Sequence, residues 1–182
     1  WNEMQESEKL GLNFTEASFD FEKIMNRSRK VANRLSKGVE YLFKKNNIDI
    51  IKGEGKINDT GSIQVSGEEE QEIKAANIII ATGAHPQELP GVKIDGEKVL
   101  SSRDALQMKQ PPKSLTIIGG GAIGVEFGYI FNSFGTDVTI VEMMSHILPN
   151  EDKEVVNVLR REFKKKKINI LTETKVKVIN KN

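Results

Sequence analysis

Three glycines constrain this chain more than any other feature. They lie in the stretch Leu115 to Glu142, LTIIGGGAIGVEFGYIFNSFGTDVTIVE. A β-favouring run, Leu115 to Ile118, leads into Gly119, Gly121 and Gly124, the three glycine positions of G-x-G-x-x-G. The period then changes. Ile123, Phe127, Ile130, Phe131 and Phe134 fall at helical spacing, Gly135 is a natural C-terminal stop, and Asp137 to Val141 reads as a second strand ending on Glu142.

Each part of that pattern has a physical job. Gly119 allows the tight turn out of the strand, Gly121 lets the backbone come close to a pyrophosphate, and Gly124 lets the helix pack closely on the strand. The helix N-terminus offers free N–H groups and the positive end of its dipole to phosphates. A carboxylate at Glu142, 18 residues past the last glycine, accepts ribose hydroxyls and repels a 2′-phosphate. Met143, Met144, Ser145 and His146 follow it without an Arg or Lys, so the pattern favours NAD over NADP. A glycine-rich turn alone would be weak evidence. Here strand, glycines, helix, second strand and terminal acid agree.

Composition narrows the alternatives. Lys plus Arg number 27 against 26 Asp plus Glu, and the net charge of +1 makes no electrostatic case for nucleic acid. No apolar run reaches transmembrane length, and WNEMQESEKLG lacks the basic start and apolar core of a signal peptide, so a cytoplasmic protein is expected. With no cysteine, the 182 residues hold no disulfide, thiolate metal site or dithiol. His85 and His146 are too isolated for a metal site or triad and read as loop residues. No residue of the chain is therefore a candidate for catalysis or for metal ligation.

Upstream, Trp1 to Gly11 reads as the tail of a helix. Ser18 or Asp20 is expected to cap a long amphipathic helix to about Asn46, with Phe21, Ile24, Met25, Val31, Leu35, Val39, Leu42 and Phe43 as an apolar stripe. That stripe reads as core packing in preference to a partner-binding face, and Arg27, Arg29, Lys30, Arg34 and Lys37 as the solvated side. Ile48 to Lys52 predicts a short strand leading into Gly53 to Lys56. Ser62 to Ser66 and Glu72 to Ala75 predict two strands of an antiparallel meander, joined by the acidic turn Gly67 to Glu70. Asn77 to Ala81 reads as an apolar strand buried in a parallel sheet, ending on Thr82-Gly83.

Prolines at 86, 90, 111 and 112 then mark a connector with a short helix around Ser102 to Met108, and the domain boundary is expected near Lys113 or Ser114. After Glu142, Asn150 is expected to cap a helix with Glu151 and Asp152 in its first turn and Lys164 to Lys167 in its last. Its buried stripe would be Val155, Val156, Leu159 and Phe163. Ile168 to Leu171 predicts a third parallel strand, and Lys175 to Ile179 the start of another.

The order of motifs is specific: a long helix, G-E-G-K, a meander, I-I-I-A-T-G, a connector with L-P-G and S-S-x-x-A-L, then I-G-G-G-A-I-G-V-E and V-E. It resembles the pyridine nucleotide–disulfide oxidoreductases, above all those that reoxidise dihydrolipoamide. The resemblance implies an α/β fold built of parts of two doubly wound, Rossmann-like dinucleotide-binding domains, the first carrying the small antiparallel meander. Residues 1–113 would be a partial FAD-binding domain with connector, and residues 114–182 a partial NAD-binding domain.

The resemblance also implies roles. Gly119, Gly120, Gly121, Ala122, Ile123, Gly124, Val125 and Glu126 would form the NAD loop, with Glu126 toward the nicotinamide and Glu142 on the adenosine ribose. Val176 would pack on the adenine, and Gly55, Thr82, Gly83 and Ala84 would line FAD. Ala122 stands where some relatives carry a tyrosine that covers the flavin, so that gate is expected to be absent. The family's FAD fingerprint and cysteine pair are expected before Trp1, and its His–Glu pair and dimerisation domain after Asn182. The chain thus reads as the middle of a longer enzyme, a homodimer that takes electrons from dihydrolipoamide on the lipoyl domain of 2-oxo acid dehydrogenase complexes, through a disulfide and FAD, to NAD+. Alone it is expected to be inactive. The alternatives are another family member, such as an NADH-dependent flavin oxidase or mercuric reductase, or a complete, non-catalytic NAD-binding module.

Overall fold

The computed structural model describes residues 1–13, 16–58, 61–67, 70–86 and 89–180. They form two compact units, one of Trp1–Arg27 with Pro86–Asn182 and one of Ser28–His85.

The first unit is organised on a three-stranded parallel sheet. Its strands are β4 (Ser114–Ile118), β5 (Asp137–Val141) and β6 (Asn169–Leu171), with β5 in the middle. Register runs Ser114↔Asp137 to Ile118↔Val141 on one side of β5 and Thr139↔Asn169 to Val141↔Leu171 on the other. Helix α4 (Ala122–Ser133) links β4 to β5, and α5 (Lys153–Lys165) links β5 to β6. Parallel neighbours require such crossover connections, and a central strand covered on both faces favours the apolar run VTIV. Val138 and Ile140 are fully buried, with Val125, Phe131, Ile147, Val156, Phe163 and Ile168 in the same core. Phe21 and Met25 join it, Phe21 lying 6.0 Å from the ring of Phe131 and edge-on to Phe134 at 5.2 Å.

Near the N-terminus, α1 (Asn2–Gln5) ends at Glu6 and a 3-10 turn (Ser7–Leu10) follows in place of a continuous helix, closed by Gly11 in a left-handed conformation, φ +75°. Helix α2 spans Phe21–Lys45, and the Asp20 carboxylate accepts the Lys23 N–H at 3.0 Å, which makes Asp20 its cap. Only Phe21 and Met25 of its stripe are buried. Ile24, Val31, Leu35, Val39, Leu42 and Phe43 are exposed, contrary to the expectation of core packing, since no described element of the chain covers them.

The second unit holds an antiparallel meander, β1 (Glu54–Ile57), β2 (Ser62–Ser66) and β3 (Gln71–Lys74). Asn58 and Ser62 close the first turn: the Asn58 N–H donates to the Ser62 carbonyl and the Ser62 N–H to Asn58 Oδ1, each at 3.0 Å. The centre of the expected acidic turn, residues 68 and 69, lies outside the described residues. Residues 48–52 are not a strand. Ladder pairing with β2 ends at Glu54↔Ser66, and although Gly67 lies close to the Lys52 carbonyl, no described strand pairs with residues 48–52. Residues 77–81 are not a strand either: Ile79 is 90% and Ile80 73% exposed, because a two-sided apolar strand needs neighbours that the described residues do not supply.

Smaller departures have local causes. Helix α3 is only Ser102–Ala105, begun by a capping box in which the Ser101 hydroxyl accepts the Asp104 N–H at 3.3 Å and Asp104 Oδ2 accepts the Ser101 N–H at 2.8 Å. Asp152, not Asn150, caps α5, accepting the Glu154 N–H at 2.7 Å. The carboxylate two residues closer to the apolar stripe has the right reach. Val155 points outward at 62% exposure, leaving Val156 and Phe163 buried. Residues 175–179 are not a strand.

Candidate functional site

The end of β4 and the start of α4 make a turn that demands glycine at positions 119, 120 and 124. Gly119 has φ +108° and donates its N–H to the Val141 carbonyl at 2.9 Å, tying the turn to β5. A Cβ on Gly124 would sit 2.1 Å from the Gly119 carbonyl oxygen, so helix and strand approach at backbone contact. Gly121 is the N-cap of α4, and its carbonyl accepts the Val125 N–H at 3.0 Å. The next amides face the open end of the helix, where an α-helix leaves its first N–H groups without intrahelical partners. Ala122, Ile123 and Glu126 are exposed there, and Val125 is buried against the sheet.

Gly120, which the resemblance implies for the NAD loop, has a part in the turn that the sequence does not reveal. It is buried, its N–H donates to Glu142 Oε2 at 2.7 Å, and its carbonyl accepts the Leu148 N–H at 2.7 Å. A Cβ here would meet Ile147 Cγ2 at 2.7 Å and Glu142 Oε2 at 3.2 Å. The signal was present as a third glycine inside the motif, but the partners across the turn are visible only in three dimensions.

Glu142 is only 7% exposed. Oε2 takes the Gly120 N–H, and Oε1 takes the Met144 N–H at 2.8 Å. Its backbone is fixed as well: its N–H donates to Leu171 at 2.8 Å, and its carbonyl accepts from Thr174 at 3.0 Å. An ionised carboxylate has about four acceptor sites, so each oxygen keeps one after these two bonds. A rigid carboxylate with acceptor capacity beyond these two bonds suits hydroxyl donors, and the amides at the helix start beside it suit an anionic phosphate.

Val176 is half-buried, two residues after the Thr174 amide that binds Glu142. In the second unit, Gly55 lies in β1 and Thr82, Gly83 and Ala84 in irregular chain, and all four are exposed. They do not amount to an enclosed cradle. His146 Nδ1 lies 3.0 Å from the Ile147 carbonyl, and His85 is exposed. Among the described residues no three His, Cys, Asp or Glu side chains are grouped as a metal site, and no helix is long and apolar enough to cross a membrane. An open cleft of about 730 Å³ at α5 and β6, lined by Arg160, Arg161, Lys164 and Lys167, shares no residue with the glycine turn and reads as a solvated basic face.

The family model described as pyridine nucleotide-disulphide oxidoreductase matches residues 4–182. The chain is 43% identical over 164 residues to the dihydrolipoyl dehydrogenase of Chlorobaculum parvum, covering 89% of the chain and 35% of that protein. To the dihydrolipoyl dehydrogenase of Zymomonas mobilis it is 42% identical over 176 residues, 96% of the chain and 38% of that protein. It thus spans little more than a third of the length of these relatives. Among solved structures it is similar to LpdA from Mycobacterium tuberculosis, with TM-score 0.85 and 25% identity over 94% of this chain and 38% of that one. It is also similar to the HOCl-induced flavoprotein disulfide reductase RclA from Escherichia coli, with TM-score 0.73 and 33% identity over 87% of this chain and 36% of that one.

Proposed function

Because the chain belongs to the pyridine nucleotide-disulphide oxidoreductase family, we propose that it is the NAD-holding part, and a share of the FAD pocket, of a dihydrolipoyl dehydrogenase. The observation that carries this reading is the buried Glu142 carboxylate bonded to the Gly120 amide at 2.7 Å. It puts the acid and the glycine turn in one rigid unit, as recognition of an adenosine diphosphate end requires. Gly121, Ala122 and Ile123 then hold the pyrophosphate through backbone amides, and Glu142 accepts the ribose 2′- and 3′-hydroxyls. Val176 packs on the adenine, and Glu126 reaches toward the nicotinamide. NAD, when bound, supplies the hydride acceptor. What these residues contribute is binding, orientation and discrimination: a 2′-phosphate would meet a buried negative charge, which makes NADP the poorer ligand.

The flavin share of the proposal rests on the resemblance at Gly55, Thr82, Gly83 and Ala84, since four exposed residues form no cradle by themselves. Dithiol chemistry needs cysteines that these 182 residues lack, and we assign it to other parts of the enzyme. On the same reading residues 1–113 belong to the FAD-binding domain and 114–182 to the NAD-binding domain. The whole enzyme is a cytoplasmic homodimer, and its electron donor is dihydrolipoamide carried on the lipoyl domain of a 2-oxo acid dehydrogenase complex. Another disulfide reductase of the family is the second reading, favoured by the likeness to RclA.

The test is a visible absorption spectrum of the protein purified from its natural source, followed by addition of NADH and then of dihydrolipoamide. Flavin bands that bleach with both reductants support the proposal. Bleaching by NADH alone favours the second reading, and a colourless protein of about the chain's own 20.4 kDa overturns both.

A further inference from the structure

The geometry points to a second task for the loop after β5: residues 146–148 form a strap that sets the dinucleotide turn, and the left-handed backbone of Leu148 is its fastening. This inference rests on the proposal that the turn binds NAD. Gly120 is gripped on three sides. Its N–H goes to Glu142 Oε2 and its carbonyl takes the Leu148 N–H, both at 2.7 Å, while Ile147, fully buried, fills the space where a side chain would stand. The one N–H of Gly120 is thus not left for a ligand. The phosphate-binding amides must therefore be those that follow, and their direction is fixed by how Gly120 is held.

Leu148 meets this demand at a cost. Its φ is +50°, a region that few non-glycine residues occupy. It also precedes Pro149, which disfavours helical conformations for the residue before it. The strained residue uses both of its backbone groups, its N–H on Gly120 and its carbonyl on the Glu151 N–H at 2.9 Å. Its side chain is half-buried at the rim of the core. Backbone and side chain thus make opposite demands, which gives a clean test.

If Leu148 acts through its backbone, glycine should serve as well as leucine, because it adopts φ +50° freely and keeps the N–H. A β-branched residue should fail, because it cannot hold that angle without strain. If Leu148 acts only through packing, the order reverses: isoleucine preserves the volume and glycine removes it. The experiment measures KM for NAD, kcat and NADH affinity in the full-length holoenzyme carrying Leu148→Gly or Leu148→Ile. The strap predicts that Leu148→Ile raises KM for NAD about tenfold with kcat within about twofold, the pattern of lost binding without lost chemistry. Leu148→Gly should leave KM near that of the parent. Should Leu148→Ile fail to fold, Leu148→Asn takes its place: asparagine tolerates the left-handed region, and a parental KM supports the strap where packing predicts a loss. A larger defect in Leu148→Gly than in Leu148→Ile, or no defect in either, overturns the strap while leaving NAD binding intact. An unsubstituted enzyme without saturable NAD dependence overturns the underlying reading, and the strap with it.

Discussion

Glu142 carries two burdens, and they can be separated by substitution. Its two oxygens each accept a backbone N–H, from Gly120 and from Met144. Glutamine has one acceptor oxygen and an NH2 group, so Glu142→Gln turns one of these bonds into donor facing donor. Leaving such a group unsatisfied costs about 1–3 kcal/mol, so we expect a lower denaturant midpoint even without nucleotide, alongside weaker NADH binding. A variant with unchanged stability would show that the carboxylate does not hold the turn. Asp104 offers a second local test. The Ser101 hydroxyl, and after it the Ser101 N–H, hold its carboxyl below the ordinary aspartate value. A depressed folded value means its contribution is present above the ordinary value and lost as pH falls through the depressed one. In Ser101→Ala the Asp104 carboxyl should titrate at higher pH by carbon NMR. An unmoved titration would mean that the capping box does not form in solution.

Helix α4 illustrates how two glycines in one element can differ in kind. A Cβ at Gly124 would lie 2.1 Å from the Gly119 carbonyl, a rigid backbone atom, whereas one at Gly128 would meet the Ile140 Cδ1 methyl at 3.0 Å. Alanine is favoured over glycine inside a helix by about 1 kcal/mol, which can offset a few tenths of an ångström of movement by a methyl but not a collision with backbone. Gly128→Ala should therefore stay close to the parent in thermal stability, and Gly124→Ala should fall well below it; equal midpoints would contradict the packing described. In α5, losing the cap in Asp152→Ala should cost about 1 kcal/mol, and an equal loss in Asn150→Ala would restore the cap expected from sequence. The strand–turn–helix unit is legible in the residues because each step has a local cause: the β run of Leu115 to Ile118, the glycines, the helical phenylalanines, the stop at Gly135. Residues 48–52 and 77–81 mislead because strand formation depends on a partner, and an apolar run does not reveal whether one stands beside it. The grip on Gly120 is likewise illegible, since Glu142 just past β5 and Leu148 in the loop after it are distant from Gly120 in sequence.

The stripe along α2 sets what these 182 residues should do alone. Val31, Leu35, Val39 and Leu42 recur at helical spacing and are exposed, Leu35 at 64%. Ile48, Ile50 and Ile51 follow the helix and are exposed too, as are Ile79 and Ile80 further along the second unit. Contiguous apolar surface beyond a few hundred Å² is rare on monomers and marks a contact surface or an aggregation liability. Against it, the second unit buries little: Val65 is the one buried hydrophobic residue among its described residues. A unit whose apolar residues are mostly wet gains little from folding, while its ordering entropy is undiminished. The isolated chain should accordingly bind an apolar dye such as ANS, self-associate over a concentration series in sedimentation, and be cleaved first within residues 28–85. Its NADH affinity should be weak, because the glycine turn sits in a sheet of three short strands whose outer members, β4 and β6, have no further strand beside them among the described residues. A monodisperse monomer that ignores the dye and titrates tightly with NADH would show that the stripe is compatible with a stable, self-sufficient fold.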